Sequence, residues 1–250
     1  MGTIIVVGSG IAGDEAAHAA SRTDPEAKVI MITEESHPLY SACVLADYVA
    51  GHISRDRVFL RKTEEYAGSS IDIQLSQRVT DWFPDQRMLQ MQDRKVGYDS
   101  LILATGSQAL IPPVHGVEKK GVITLKTLSD ADIIKGTQGT YAVIVGSGPV
   151  GIEASLALRH LGWEVWIVEL LEGVLPRLFD VPIATLIQKE LVARGIRVHA
   201  GERLMEILGE EHVEGVRTDR RILKADLVLL VTGMTPEVVL AKKGGLALGP

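Results

Sequence analysis

The chain has 250 residues, 46% of them hydrophobic and 23% charged, with 25 glycines and 10 prolines. That composition excludes a disordered or collagen-like chain, and the length leaves room for one large or two modest domains, each with its own core. A formal net charge of −6 without any basic run excludes nucleic acid and an acidic membrane as expected partners.

In chain order, an apolar strand begins at Thr3, with no charged and then apolar leader before it, so no signal peptide is expected. Residues 4–17 read "IIVVGSGIAGDEAA": strand, glycine turn, Ala-rich helix. Asp24-Pro25 ends that helix, and the strand "KVIMITEE" follows with an acid, Glu34, at its end. "PLYSACVLADY" carries the single cysteine, Cys43. Short alternating strands in "IDIQLSQRVTDWFPDQRMLQMQ" lead to "DSLILATGS". "GSQALIPPVHGVEKKGV", rich in Pro and Gly, reads as a linker. A second strand, turn and helix follow in "AVIVGSGPVGIEAS" (142–155). The helix stops at Gly162, the next strand "EVWIVELL" holds Glu169, and "IATLIQKELVARG" reads as a helix. More short strands precede "ADLVLLVTGM". No apolar run approaches the ~18 residues that span a bilayer. The seven histidines show no metal-ligand spacing, so no metal site is expected. A lone cysteine cannot form an internal disulfide and fits a reducing, cytoplasmic compartment.

The two halves repeat. Val7, Gly8, Ser9, Gly10, Gly13, Glu15 and Ala16 recur as Val145, Gly146, Ser147, Gly148, Gly151, Glu153 and Ala154, at an offset of 138 residues (146 − 8). Each half ends in an acid, an apolar strand and a Thr-Gly: Thr105-Gly106 and Thr232-Gly233. Strands without polar alternation predict parallel sheets covered on both faces. The fold class is α/β: two tandem Rossmann-like dinucleotide-binding domains, each a parallel sheet plus a β-meander. The domains are expected at 1–112 and 113–240.

A lone GxGxxG carries little information, but here each copy has a strand before it, a helix after it and an acid about twenty residues on. Gly8 and Gly146 allow the tight turn. Gly10 and Gly148 leave the backbone open to a pyrophosphate. Gly13 and Gly151 let the helix pack on the strand. The helix N-terminus offers unpaired N–H groups to phosphate. Glu34 and Glu169 are expected on ribose hydroxyls. A carboxylate repels a 2′-phosphate and no Arg directly follows Glu169, so NAD(H) is favoured over NADP(H).

Glycine loops "GSGIAG" and "GSGPVGIE", with "ATGS" and "VTGMTPE" in that order, resemble the FAD-dependent pyridine nucleotide-disulfide oxidoreductase family over essentially the whole chain. The resemblance implies FAD in the first unit, held by Gly8, Gly10, Gly13 and Glu34. Val79 would meet the adenine through its backbone, and Thr105 and Gly106 would lie beside the FAD. It implies NAD(H) in the second unit, on Gly146, Gly148, Gly151, Glu169 and Gly233. Glu153 resembles a family glutamate close to the nicotinamide. Family members normally complete the FAD domain with a later segment and add a dimerisation domain. Here 241–250, which ends in "KKGGLALGP", reads as the start of that return, so a C-terminally truncated fragment of a homo-oligomeric protein is expected.

Disulfide reductases of this family carry CxxxxC. Tyr48 stands at the second position, which excludes an internal dithiol. "YSACVLADYVAG" resembles the single-cysteine branch of coenzyme A-disulfide reductases and NADH oxidases, although Val44 and Ala46 replace a usual glycine and proline. Ile11 stands where the oxidases and peroxidases carry a histidine, which counts against peroxide chemistry. A second branch, the flavin subunits of nitrite reductase and rubredoxin reductase type, has no catalytic cysteine here. The expected function is a flavoprotein oxidoreductase passing hydride between NAD(H) and FAD. Electrons would then reach a small disulfide or persulfide through catalytic Cys43. The alternative is an electron-transfer subunit serving an iron–sulfur or rubredoxin-type partner, with Cys43 a small buried hydrophobe.

Overall fold

In the computed structural model, which describes residues 2–67 and 69–249, the chain divides into two compact units. One comprises Met1–Ser41, Phe59–Gln108 and Pro236–Pro250; the other comprises Ala42–Val58 and Ala109–Thr235.

The first unit is built on four strands in the order Ile71–Gln74, Lys28–Ile32, Thr3–Val7, Ser100–Leu103. All pair in parallel, with Val7 level with Ile32 and with Leu103. Side chains alternate across this sheet. Val6, Val29 and Met31 pack with Ala17 of the helix Ile11–Thr23 and with Tyr66. Ile5, Val7 and Ile32 pack on the other face with Leu89, Met91 and Leu240. Leu89 and Met91 belong to the antiparallel meander Val79–Phe83, Met88–Met91, Lys95–Gly97. Each fully buried aliphatic side chain contributes about 1.5–3 kcal/mol, so a strand apolar on both faces is stable only where helix and meander cover it. The chain rejoins this unit at Pro236, five residues before the boundary expected from the motifs. The helix Val239–Lys243 seats Lys243 on the meander, where Nζ donates to the Thr80 carbonyl at 2.8 Å and to Asp81 Oδ1 at 2.7 Å.

The second unit repeats the plan with a fifth strand: Arg197–Ala200, Glu164–Glu169, Tyr141–Val145, Leu227–Leu230, Val122–Ile123, all parallel. Its meander is Leu204–Leu208, Gly215–Thr218, Ile222–Lys224. Val143, Val145, Trp166, Val168, Val228 and Leu230 form one core with Ile207, Val216 and Leu223. The linker-like stretch is docked here, since Ile207 N–H donates to the His115 carbonyl and Lys120 N–H to the Glu211 carbonyl, both at 2.9 Å.

The acids that precede each closing strand share a purpose the repeat alone did not explain. Asp99 Oδ2 accepts from Thr3 N–H at 2.7 Å, and Asp226 Oδ2 accepts from Thr140 and Tyr141 N–H at 2.7 and 2.9 Å. Each pins the start of the strand that leads into its unit's glycine loop beside the strand that closes the unit.

Residues 42–58, which motif order placed within 1–112, pack in the second unit. Leu45, Ala46, Tyr48 and Val49 are buried. Their helix, Leu45–Ala50, lies against the helices Leu128–Gly136 and Pro149–His160. Tyr48 Oη donates to Asp132 Oδ1 at 2.7 Å. Arg55 also holds Asp132, with Nη2 2.9 Å from Oδ2, and Lys135 Nζ donates to the Tyr48 carbonyl at 3.0 Å. Loss of hydration and the Asp132 carboxylate hold the Tyr48 phenol above its ordinary pKa.

Candidate functional sites: two glycine loops

In the first loop, Gly8 has φ +109°, and a Cβ there would lie 2.1 Å from the Ala104 carbonyl oxygen. A Cβ on Gly13 would lie 2.0 Å from the Gly8 carbonyl oxygen, so the helix crosses the loop at glycine-only distance. At Gly10, by contrast, a Cβ would meet nothing within 4 Å. Gly10 is the N-cap of Ile11–Thr23 and no side chain caps that end. Open space in front of uncapped helix N–H groups is the arrangement a phosphate requires, so the residues present fit a nucleotide pyrophosphate.

Glu34 lies exposed at the strand edge, with Oε2 3.6 Å from Arg78 Nε. Gln77 N–H donates to the Thr33 carbonyl at 2.8 Å and Ser76 N–H to the Glu35 carbonyl at 2.9 Å. Those bonds lash the approach to Val79 onto the Glu34 edge and bring the two predicted adenosine contacts together. Glu35, half-buried and accepting from Tyr40 Oη at 3.2 Å, is a second acid there that the motif spacing does not single out. Its only signal was the doubled acid in "TEE". Thr105 Oγ1 donates to the Glu237 carbonyl at 2.7 Å, and the Gly106 carbonyl accepts from Glu237 N–H at 2.9 Å.

Asp14 was missed altogether. It is fully buried, with Oδ2 2.7 Å from Arg61 Nε and Oδ1 2.5 Å from Tyr66 Oη. Burial and the Asp14 carboxylate push the Tyr66 phenol well above its ordinary pKa. Its neighbour Glu15, by contrast, is exposed, 3.9 Å from Arg61 Nη2.

The second loop repeats the backbone. Gly146 has φ +107°, and its Cβ would lie 2.5 Å from the Val231 carbonyl oxygen; that of Gly151 would lie 2.2 Å from the Gly146 carbonyl oxygen. Gly148 faces open space and is an uncapped N-cap, so this loop also fits a pyrophosphate. Gly233 has φ +132°, and its carbonyl accepts from Leu110 N–H at 2.9 Å.

The acids differ in position. Gly8 N–H donates to the Ile32 carbonyl and Gly146 N–H to the Val168 carbonyl, at 2.8 and 2.9 Å. The residue following each is therefore equivalent: Thr33 in the first unit, Glu169 in the second. Glu34 stands one position farther on, a shift that motif spacing of about twenty residues could not resolve. Accordingly Ser9 Oγ donates to Thr33 Oγ1 at 3.0 Å, whereas Ser147 donates to Glu169.

Cys43 is exposed, on the turn Ala42–Val44 two residues ahead of the helix Leu45–Ala50. It is not a buried small hydrophobe. Glu153 is exposed on Pro149–His160, the helix that starts at the second loop. Partial loss of hydration and the charge of Asp47, four residues after Cys43, hold its carboxyl above the ordinary glutamate pKa. Among the described residues no three His, Cys, Asp or Glu side chains group as metal ligands, and no helix is long and apolar enough to cross a membrane.

Residues 2–250 match the family model described as pyridine nucleotide-disulphide oxidoreductase. The chain is 32% identical over 256 residues to an NADH oxidase of Methanocaldococcus jannaschii, covering 98% of this chain and 57% of that protein. It is 29% identical over 248 residues to a nitrite reductase [NAD(P)H] of Bacillus subtilis, covering 97% of this chain and 31% of that protein. Among solved structures, an NAD-dependent persulfide reductase from A. fulgidus superposes with a TM-score of 0.94 at 28% identity, covering 99% of this chain and 48% of that one. The chain thus spans about half the length, or less, of these relatives.

Proposed function

Starting from a chain that belongs to the pyridine nucleotide-disulphide oxidoreductase family, whose members bind FAD and use NAD(H), we propose that the protein is a single-cysteine flavoprotein reductase of small disulfides or persulfides. In this reading residues 1–112 carry the FAD role, residues 113–240 the NAD(H) role, and residues 241–250 begin a return to the FAD domain. Gly8, Gly10 and Gly13 hold the FAD pyrophosphate, with Glu34 and Val79 at the adenosine and Thr105 and Gly106 beside the ring system. Gly146, Gly148, Gly151 and Gly233 hold NAD(H), with Glu169 at its ribose and Glu153 near its nicotinamide. When bound, the nicotinamide and flavin supply the hydride and electron-pair chemistry.

Cys43 Sγ attacks one sulfur of the acceptor. A new S–S bond forms to Cys43 as the old one breaks, the other half leaves as a thiol with the proton Cys43 gives up, and the electron pair from NADH would be what reopens the mixed disulfide. Glu153, whose carboxyl keeps its proton to higher pH than an ordinary glutamate, is placed to hold a proton beside the second loop. The observation that carries this reading is the exposure of the single cysteine on a turn whose following helix packs on Pro149–His160. A 28%-identical persulfide reductase fold supports it as well.

The test is anaerobic: reduce the protein with NADH, then offer coenzyme A disulfide or polysulfide to wild type and to Cys43→Ser. Loss of acceptor turnover with flavin bleaching retained is the expected result. Unchanged turnover in Cys43→Ser would sink the cysteine mechanism. It would favour the second reading, an electron-transfer subunit for an iron–sulfur or rubredoxin-type partner, which the likeness to a nitrite reductase supports.

A further inference from the structure

Glu169 turns its carboxylate back onto the second glycine loop. Oε2 accepts from Ser147 N–H at 2.8 Å and from Ser147 Oγ at 2.7 Å, while Oε1 accepts from Leu171 N–H at 2.8 Å. Ser147 is fully buried and Glu169 is 8% exposed. A carboxylate offers about four acceptor positions. Three are filled by the protein, two on Oε2 and one on Oε1, which leaves about one on Oε1. Ser147 lies between Gly146 and Gly148, so the carboxylate is tied to the same peptide that would cradle a pyrophosphate. In the first unit the equivalent serine, Ser9, donates instead to the Thr33 hydroxyl, and the nearby acids Glu34 and Glu35 lie beyond that position. The second loop therefore carries a device the first lacks: a carboxylate whose two oxygens are fixed from two sides.

Resting on the reading of this unit as the NAD(H) site, we propose that Ser147 is a positioning residue for nucleotide choice. Its hydroxyl locks Glu169 so that one acceptor position remains for a ribose hydroxyl, and the carboxylate cannot swing away from a 2′-phosphate. A ribose hydroxyl can donate to that position. A phosphate ester has no comparable donor and carries like charge. Rotating the carboxylate aside is the simplest way such a site would admit NADP(H), and the Ser147 hydroxyl opposes it. The Ser147 and Leu171 N–H groups survive removal of the hydroxyl, so the loss of selectivity is partial in Ser147→Ala and complete in Glu169→Gln.

The test measures NADH and NADPH dissociation constants by calorimetry on wild type, Ser147→Ala, Ser147→Thr and Glu169→Gln, with thermal melting to follow folding. In Ser147→Ala the preference for NADH should fall about tenfold, the worth of one hydrogen bond to a charged acceptor. Ser147→Thr, which keeps the hydroxyl, should retain the preference, and Glu169→Gln should abolish it. Equal weakening of both nucleotides in Ser147→Ala, or no change in either, would overturn the positioning role. If Glu169→Gln still abolishes the preference in that case, the assignment of Glu169 stands. A preference that survives Glu169→Gln, or a wild type that binds neither nucleotide, would overturn both.

Discussion

The two units use one backbone device and stabilise it differently. Both loops place glycine where a Cβ would strike backbone and open space where a ligand phosphate would sit. In the first unit the helix that follows is anchored by a buried carboxylate, Asp14, with an arginine and a tyrosine on it. At the matching position the second unit has half-buried Ile152, and the carboxylate buried against its glycine loop is instead Glu169, at the strand end. The same repeat thus keeps one acid for holding the helix and the other for the loop. The lesson is that motif equivalence fixes where a ligand can lie, not which acid serves it.

Removing Asp14 should separate the units most sharply. Asp14→Ala leaves Arg61 and Tyr66 without their shared acceptor and should cost about 3 kcal/mol, the lower end for a broken buried pair, because Arg61 is partly exposed. Hydrogen exchange should show the loss in the first unit, and equal loosening of both units would contradict the local anchor. The same network makes an alkaline prediction. The folded Tyr66 phenol titrates above its free value near 10. Its contribution is therefore complete below pH about 10 and is lost as pH rises beyond it. Tyr66→Phe should flatten that alkaline fall in urea titrations.

Gly13→Ala and Gly151→Ala should each cost about 1–3 kcal/mol by driving a Cβ into backbone. Gly10→Ala and Gly148→Ala should leave melting almost unchanged and weaken FAD and NADH retention respectively. Destabilisation by the second pair would mean that the open faces are not open.

Glu169→Ala strips the acceptor from buried donors and should cost about 2 kcal/mol. Glu34→Ala breaks one exposed ion pair and should cost less than about 1 kcal/mol. Equal melting shifts would erase the distinction between a locked acid and an exposed one. The smallest effect is a titration: Asp47→Asn should lower the Glu153 carboxyl pKa toward the ordinary glutamate value, as read by carboxyl NMR. No movement would show that Asp47 does not couple to it.

Much of this was legible in the amino-acid order. The two strand–turn–helix repeats, the ends of both glycine-loop helices and the meanders all follow from apolar periodicity and from what glycine and proline permit. Helix Ile11–Thr23 stops at Asp24, as Asp24-Pro25 requires, and Gly162 takes φ +91° just past Pro149–His160. These are local constraints, set by residues within a few positions of one another.

Only the tertiary structure decided the rest. Strand register made Thr33, not Glu34, the counterpart of Glu169. Packing carried Ala42–Val58 into the second unit and left Cys43 exposed on a turn, and it returned the chain to the first unit at Pro236. Asp14 meets partners 47 and 52 residues away, and Tyr48 one 84 residues away. No local pattern encodes such pairs, because what selects them is the cost of burying a polar group without a partner. That cost arises only once the sheet and its covering helices have excluded water.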